Sequence, residues 1–174
     1  MDKPEEKKVD VPAGCPEPLK PVLAGLTEKF GDDLRFSFFA DEAMVMVPDP
    51  AKIREVIGYL KETPEHDFNY LVDVGGVHDP GAEFEMYVFY NLLSISTARR
   101  IRIKTPAIGA MPTVPSVTSI WPGANWHERE AYDMFGIVFE GHPDLRRMFL
   151  PETLDFHPLR KEYPLRGDNE KPTW

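Results

Sequence analysis

Glu128, Arg129, Glu130 and Asp133 crowd into six residues, with His127 directly in front of them. Carboxylates at that density could work as a general acid and base. His127-Glu128 also opens like the zinc-protease signature, which needs a second histidine four residues after the first so that both leave one helix face. That position holds Ala131, and the signature fails. His127, His142 and His157 remain as a looser metal set, the residues a stand-alone metal-dependent hydrolase would use. Two of them sit in Gly141-His142-Pro143 and Phe156-His157-Pro158, where a histidine more readily bonds backbone or a carboxylate. No nucleophile or oxyanion pattern accompanies the acids. Carboxylates near a helix N-terminus, paired with arginines, satisfy the helix dipole equally well, and that reading is preferred.

The basic residues form two further sets. Arg100, Arg102 and Lys104 alternate along a strand and so face one side. They suit a solvated face, a contact with an acidic partner, or a module that binds small acids. Arg146-Arg147 and Arg160-Lys161 lie among aromatic residues in a proline-rich stretch. The planar guanidinium fork suits interface carboxylates, and intrachain pairing fits as well.

Composition removes several classes. Cys15 is the one cysteine, so neither an intrachain disulfide nor a four-cysteine cluster is available. There is no Walker loop and no G-x-G-x-x-G, leaving no recognisable place for a redox cofactor. A formal net charge of −9 argues against sequence-independent nucleic-acid binding and against a polybasic membrane patch. The longest uncharged run, 105–126, is broken by four prolines and reads as loop and short turns, not a membrane span. Asp2, Glu5, Glu6 and Asp10 make the N-terminus unlike a signal peptide or an organelle presequence.

These residues need elements to position them. Asn125 is placed to cap a helix, with Glu128 reaching back to it, and Gly136 to end it. Arg129 and Asp133, one turn apart, would pair. Pro143, Pro151, Pro158 and Pro164 then forbid a long helix or central strand. An arm over 137–174 carrying Phe149, Leu150, Phe156, Leu159 and Tyr163 must lie on another surface, its own domain or a partner. Upstream, 1–15 reads as a flexible tail and 16–136 as the ordered domain. Leu19, Val22, Leu23, Leu26 and Phe30 give one amphipathic helix; Ile53, Val56, Ile57 and Leu60, behind Asp49-Pro50, give another. A hairpin over 34–47 lies between them, and strands follow near 70–74, 84–92 and 99–104. Gly75-Gly76 reads as a bulge or turn, and Asp79-Pro80-Gly81 as a turn. The fold class is α+β: two helices packed on a mixed or antiparallel sheet, then the charged helix and an extended Pro-rich C-terminal arm.

Taken in order, these motifs resemble the signature of the thirty-kilodalton subunit family of respiratory complex I. Glu128-Arg129-Glu130 stands before Tyr132, Asp133, Met134, Phe135 and Gly136; His142 and Arg146-Arg147-Met148-Phe149 follow in register, and His157 to Pro164 matches the closing motif. Pro115-Ser116-Val117 and Trp121 to Trp126 fit the same pattern. The resemblance implies a non-catalytic, cofactor-free structural subunit in the peripheral arm of an NADH:quinone oxidoreductase-type, proton-translocating complex. Iron–sulfur clusters, flavin and quinone are then expected on partner subunits. The implied partners are the large quinone-module subunit and the iron–sulfur subunits, with cytoplasmic placement and membrane contact only through them. The implied partner-interface residues are Glu128, Arg129, Glu130, Asp133, His142, Arg146, Arg147, His157, Arg160 and Lys161. Relatives of the family also serve membrane-bound hydrogenases, formate hydrogenlyases, deazaflavin-dependent dehydrogenases and the photosynthetic ferredoxin–plastoquinone complex. Nothing in the residues selects among these machines.

Overall fold

The computed structural model describes residues 13–31, 33–40 and 42–163. Most of the expected tail, and Pro164 with the end of the expected arm, lie outside them. Cys15, expected at the tail's end, is buried in the core.

Helix α1 (Lys20–Phe30) buries Val22, Leu23 and Leu26, and Gly31 ends it. Strands β1 (Arg35–Phe39) and β2 (Glu42–Met46) form the hairpin. The Asp49 carboxylate accepts the Ala51 N–H, and a 3₁₀ turn from Pro50 leads into α2 (Ile53–Glu62). Its stripe of Ile53, Val56, Ile57 and Leu60 is fully buried, each side chain worth roughly 1.5–3 kcal/mol. Strands β3 (Tyr70–His78), β4 (Met86–Ser94) and β5 (Arg99–Pro106) complete a five-stranded sheet of order β1-β2-β5-β4-β3. Pairing is antiparallel except between β2 and β5, which run parallel with Val45 opposite Ile103. The mixed sheet buries Val45, Val88, Tyr90, Leu92, Ile101 and Ile103 in one core with the α1 and α2 stripes.

Two expectations change. Gly75 and Gly76 lie within β3, opposite Phe89 and Val88, and the register shift falls between Leu71 and Asp73. The glycines are there for close approach, not for a turn. The Phe89 ring lies over Gly75, and a Cβ on Gly76 would meet Phe135 Cδ2 at 2.5 Å. Gly76→Ala is therefore expected to push back the last residue of the charged helix and cost roughly 1–3 kcal/mol, as read from urea unfolding. The stretch 105–126, expected as loop, also contains a strand. β6 (Thr113–Pro115) pairs in parallel with β7 (Val138–Glu140), Val114 opposite Phe139. Three residues are too few to display a period. Helix α3 (Ala124–Phe135) runs between them and packs on β3.

Candidate interface site

The charged helix begins without a side-chain cap. Gly123 occupies the cap position, not Asn125, and the Ala124 and Asn125 N–H groups donate to the carbonyls of Trp121 and Pro122. Glu128 is free of the capping role because it turns inward. Its two oxygens accept from Ser116 Oγ at 2.6 Å and from the Val117 N–H at 2.7 Å, and it has no exposed surface. Burial pushes its pKa up to about 7, outweighing those two donors and the nearby Arg54 charge. Arg54 itself donates to the carbonyls of Ser116 (2.6 Å) and Glu140 (2.9 Å), tying α2 to the residue after β6 and to the end of β7.

Asp133 is the fastening point of the arm. One carboxylate oxygen accepts the N–H groups of Met148 (3.0 Å), Phe149 (2.7 Å) and Leu150 (3.0 Å); the other accepts from Arg147 at 2.8 Å. Burial alone would raise the pKa of this carboxyl. The three amides and the guanidinium together hold it below the usual carboxylate range instead. Arg147 continues the network, donating to the carbonyls of Leu154 (2.8 Å) and Phe156 (3.0 Å). The expected Arg129–Asp133 pair does not form, since the arm already fills the Asp133 acceptors. Arg129, 8% exposed, donates to the carbonyls of Arg146 (3.2 Å) and Arg147 (3.3 Å) and lies 5.0 Å from the Trp126 ring centroid.

A helix leaves its last carbonyls without intrahelical partners. Here the arm supplies them. His157 Nδ1 donates to the Asp133 carbonyl (2.9 Å), the Leu159 N–H to Met134 (3.1 Å) and Arg160 Nε to Phe135 (2.6 Å). Gly136 takes the left-handed conformation at φ 73°, and the His157 and Arg160 side chains lie where a Cβ would stand. Burial first, then the positive charges of Arg160 and Arg147, hold the His157 pKa below its ordinary value against the pull of the Asp133 carbonyl bond. Further on, the Lys161 N–H donates to Nδ1 of His78, a buried residue at the end of β3, at 2.7 Å.

The ten residues expected at a partner interface therefore divide. Glu128, Arg129 and Asp133 are buried; Glu128 and Asp133 have no surface to offer a partner. His142, Arg147, His157 and Arg160 are half-buried, while Glu130, Arg146 and Lys161 are exposed. His142 is spent on the Asn125 carbonyl and the Asp144 N–H, and His127 lies by Asp73. The three histidines of the looser metal set thus keep separate partners. Among the described residues, no group of three or more His, Cys, Asp or Glu could hold a metal ion. Arg54 and His78 carry no spacing signal that singles them out; only the fold brings them to the network. Ser116, part of the Pro115-Ser116-Val117 motif, gives no sign in the sequence that it meets Glu128. The helix and arm leave three large apolar side chains outward, Trp126 (61% exposed), Phe149 (62%) and Leu159 (51%), among exposed charges that include Asp144, Glu152, Asp155 and Glu162 besides those three.

The family model described as respiratory-chain NADH dehydrogenase, 30 Kd subunit, matches residues 46–169. An NADH-quinone oxidoreductase subunit of Rhizobium etli (strain CIAT 652) is 43% identical over 148 residues, 85% of this chain and 79% of that one. Among solved structures, the trypsin-resistant fragment (1-134) of Nqo5 superposes with a TM-score of 0.63 at 31% identity, over 74% of this chain and 99% of that one. A chain of the membrane-bound sulfane sulfur reductase, an archaeal respiratory membrane complex, shares the fold with a TM-score of 0.70 at 24% identity, over 83% and 85% of the two chains. With α3 and its arm inside the matched span, the chain belongs to the family of the respiratory-chain NADH dehydrogenase 30 Kd subunit.

Proposed function

We propose that the chain is a non-catalytic, cofactor-free scaffold in the peripheral arm of an NADH:quinone oxidoreductase-type, proton-translocating complex. It packs against the large quinone-module subunit and the iron–sulfur subunits, and reaches the cytoplasmic membrane only through them. The observation that carries this reading is the use made of the charged residues. Glu128, Arg129, Asp133, Arg147 and Arg160 are bonded within the chain and build a fixed surface; none is aimed at a reacting centre. A single cysteine likewise supplies too few thiolates for a cluster of its own. No helix among the described residues is long and apolar enough to cross a membrane. The NADH–quinone reading is favoured over a hydrogenase-type machine because the relative sharing 43% of its residues is an NADH-quinone oxidoreductase subunit.

The contact surface is the outward side of α3 and the arm, with Trp126, Phe149 and Leu159 as apolar anchors. The test is purification of the tagged chain from detergent-solubilised native membranes. Recovery with iron–sulfur subunits and NADH:quinone activity is expected; recovery as a free monomer overturns the proposal. Phe149→Asp is expected to lower the yield of assembled complex, at a cost of roughly 2 kcal/mol for a buried aromatic anchor. Normal yield with impaired turnover would count against a purely structural role.

A further inference from the structure

The sheet has a second face opposite its core. Cross-strand neighbours point to the same side of a sheet. One row across the strands reads Met44, Arg102 and Asn91; the next reads Met46, Lys104 and Phe89. Leu93 stands opposite Arg100 on one side and Tyr70 on the other. This face is open: Arg100 and Arg102 are exposed, with Tyr70 and Phe39 as exposed aromatics.

Two of its cations are held in place by neutral neighbours, although Glu42 lines the grooves beside Arg102 and Asp79 lies near enough to Lys104 to act on its charge. Arg102 donates to Asn91 Oδ1 at 2.8 Å and lies 5.7 Å from the Phe89 ring centroid; Lys104 Nζ lies 3.6 Å from that of Tyr87. Among the described residues, none of the three cations enters an ion pair. Two grooves flank Arg102. One of about 460 Å³ lies against Phe39 and Met44, the other of about 240 Å³ against Tyr70, Val72 and Leu93. On a chain of net charge −9, the central strand thus presents three positive charges, two of them ordered, between largely apolar grooves that share one acid, Glu42.

We propose that this face docks an acidic amphipathic helix of a neighbouring subunit, its carboxylates on Arg100, Arg102 and Lys104 and its apolar stripe in the two grooves. The inference rests on the reading of the chain as a subunit of a larger complex. A helix is the element that covers a sheet face, as α1 and α2 cover the other one. Charge complementarity selects an acidic one. A second copy of this chain fits less well, because neither of its own outer helices is acidic: α1 carries Lys20 and Lys29 against Glu28, and on α2 Arg54 and Lys61 balance Glu55 and Glu62. A lipid surface also fits less well, since polybasic patches carry about four to eight cations.

Zero-length carbodiimide cross-linking of the complex purified from membranes tests this, read by mass spectrometry. An isopeptide bond from Lys104 to an Asp or Glu of another subunit is expected. Arg100→Glu with Arg102→Glu is expected to lower recovery of that subunit roughly tenfold or more. A cross-link to a second copy of this chain overturns the proposal, and so does Lys104 acetylation in the intact complex as fast as that of exposed Lys29. An unchanged set of subunits in the variant, with loss of binding to phosphatidylglycerol vesicles, overturns it in favour of lipid. If the chain joins no other subunit at all, the broader reading fails along with this one; if it joins them with Lys104 free, only this one fails.

Discussion

Asp133→Ala is expected to release the segment 145–163 from the helix while leaving the five-stranded sheet intact. The substitution strands three N–H groups, those of Met148, Phe149 and Leu150, and leaves the Arg147 guanidinium without its carboxylate. Removing one partner of a buried pair costs roughly 3–5 kcal/mol, because the remaining charge stays desolvated. For a chain of this length that lowers Tm by roughly 10 °C. Limited proteolysis provides the local readout, with new cleavage between 145 and 163 under conditions where the wild type resists. Unchanged protection of the arm would show that other contacts hold it. The same carboxylate predicts an acid limit. Its folded pKa lies below its unfolded value, so its contribution is present above the unfolded pKa and is lost as pH falls through the folded one. Loosening of the arm is therefore expected below about pH 4.

Glu128 works in the opposite direction. Its folded pKa is about 7 against an ordinary 4.5, so the folded chain holds this proton more tightly than the unfolded one. Stability from that proton is full below pH 4.5 and lost as pH rises through 7. Glu128→Gln keeps an acceptor for the Val117 N–H and can donate to Ser116 Oγ, without ever ionising. Relative to wild type, the variant should gain about 3 kcal/mol between acid and neutral pH. Urea unfolding of both proteins from pH 4 to 8 measures this. Parallel profiles would mean that the carboxylate ionises inside the fold at little cost.

Local signals were legible in the sequence where one element decides its own fate. The stripes of α1 and α2, the Asp49-Pro50 start and the Gly136 stop each depend on residues within a turn or two, and each is found as expected. The signals that misled are those overruled by distant partners. Asn125 and Glu128 make a plausible cap pair, but Ser116 and Val117, more than ten residues upstream, hold the carboxylate. Arg129 and Asp133 stand at pairing distance along the helix, yet a segment fourteen to seventeen residues on fills every Asp133 acceptor. The charged residues of the candidate site were legible as a set. Which of them face inward was not, because burial is set by the whole network.

The position of β5 bears on how a nascent chain reaches this state. It is the middle strand of the large sheet but the last of the five to leave the ribosome, and β2 reaches the sheet only through it. Until residue 106 has emerged, the early hairpin and the β3–β4 pair have no shared backbone ladder. Such non-local closure is slow, because the intervening loop entropy is lost before the contacts form. Fragments ending before Arg99 are therefore expected to expose the α1 and α2 stripes and to be held by chaperones, with release following synthesis of a single eight-residue segment.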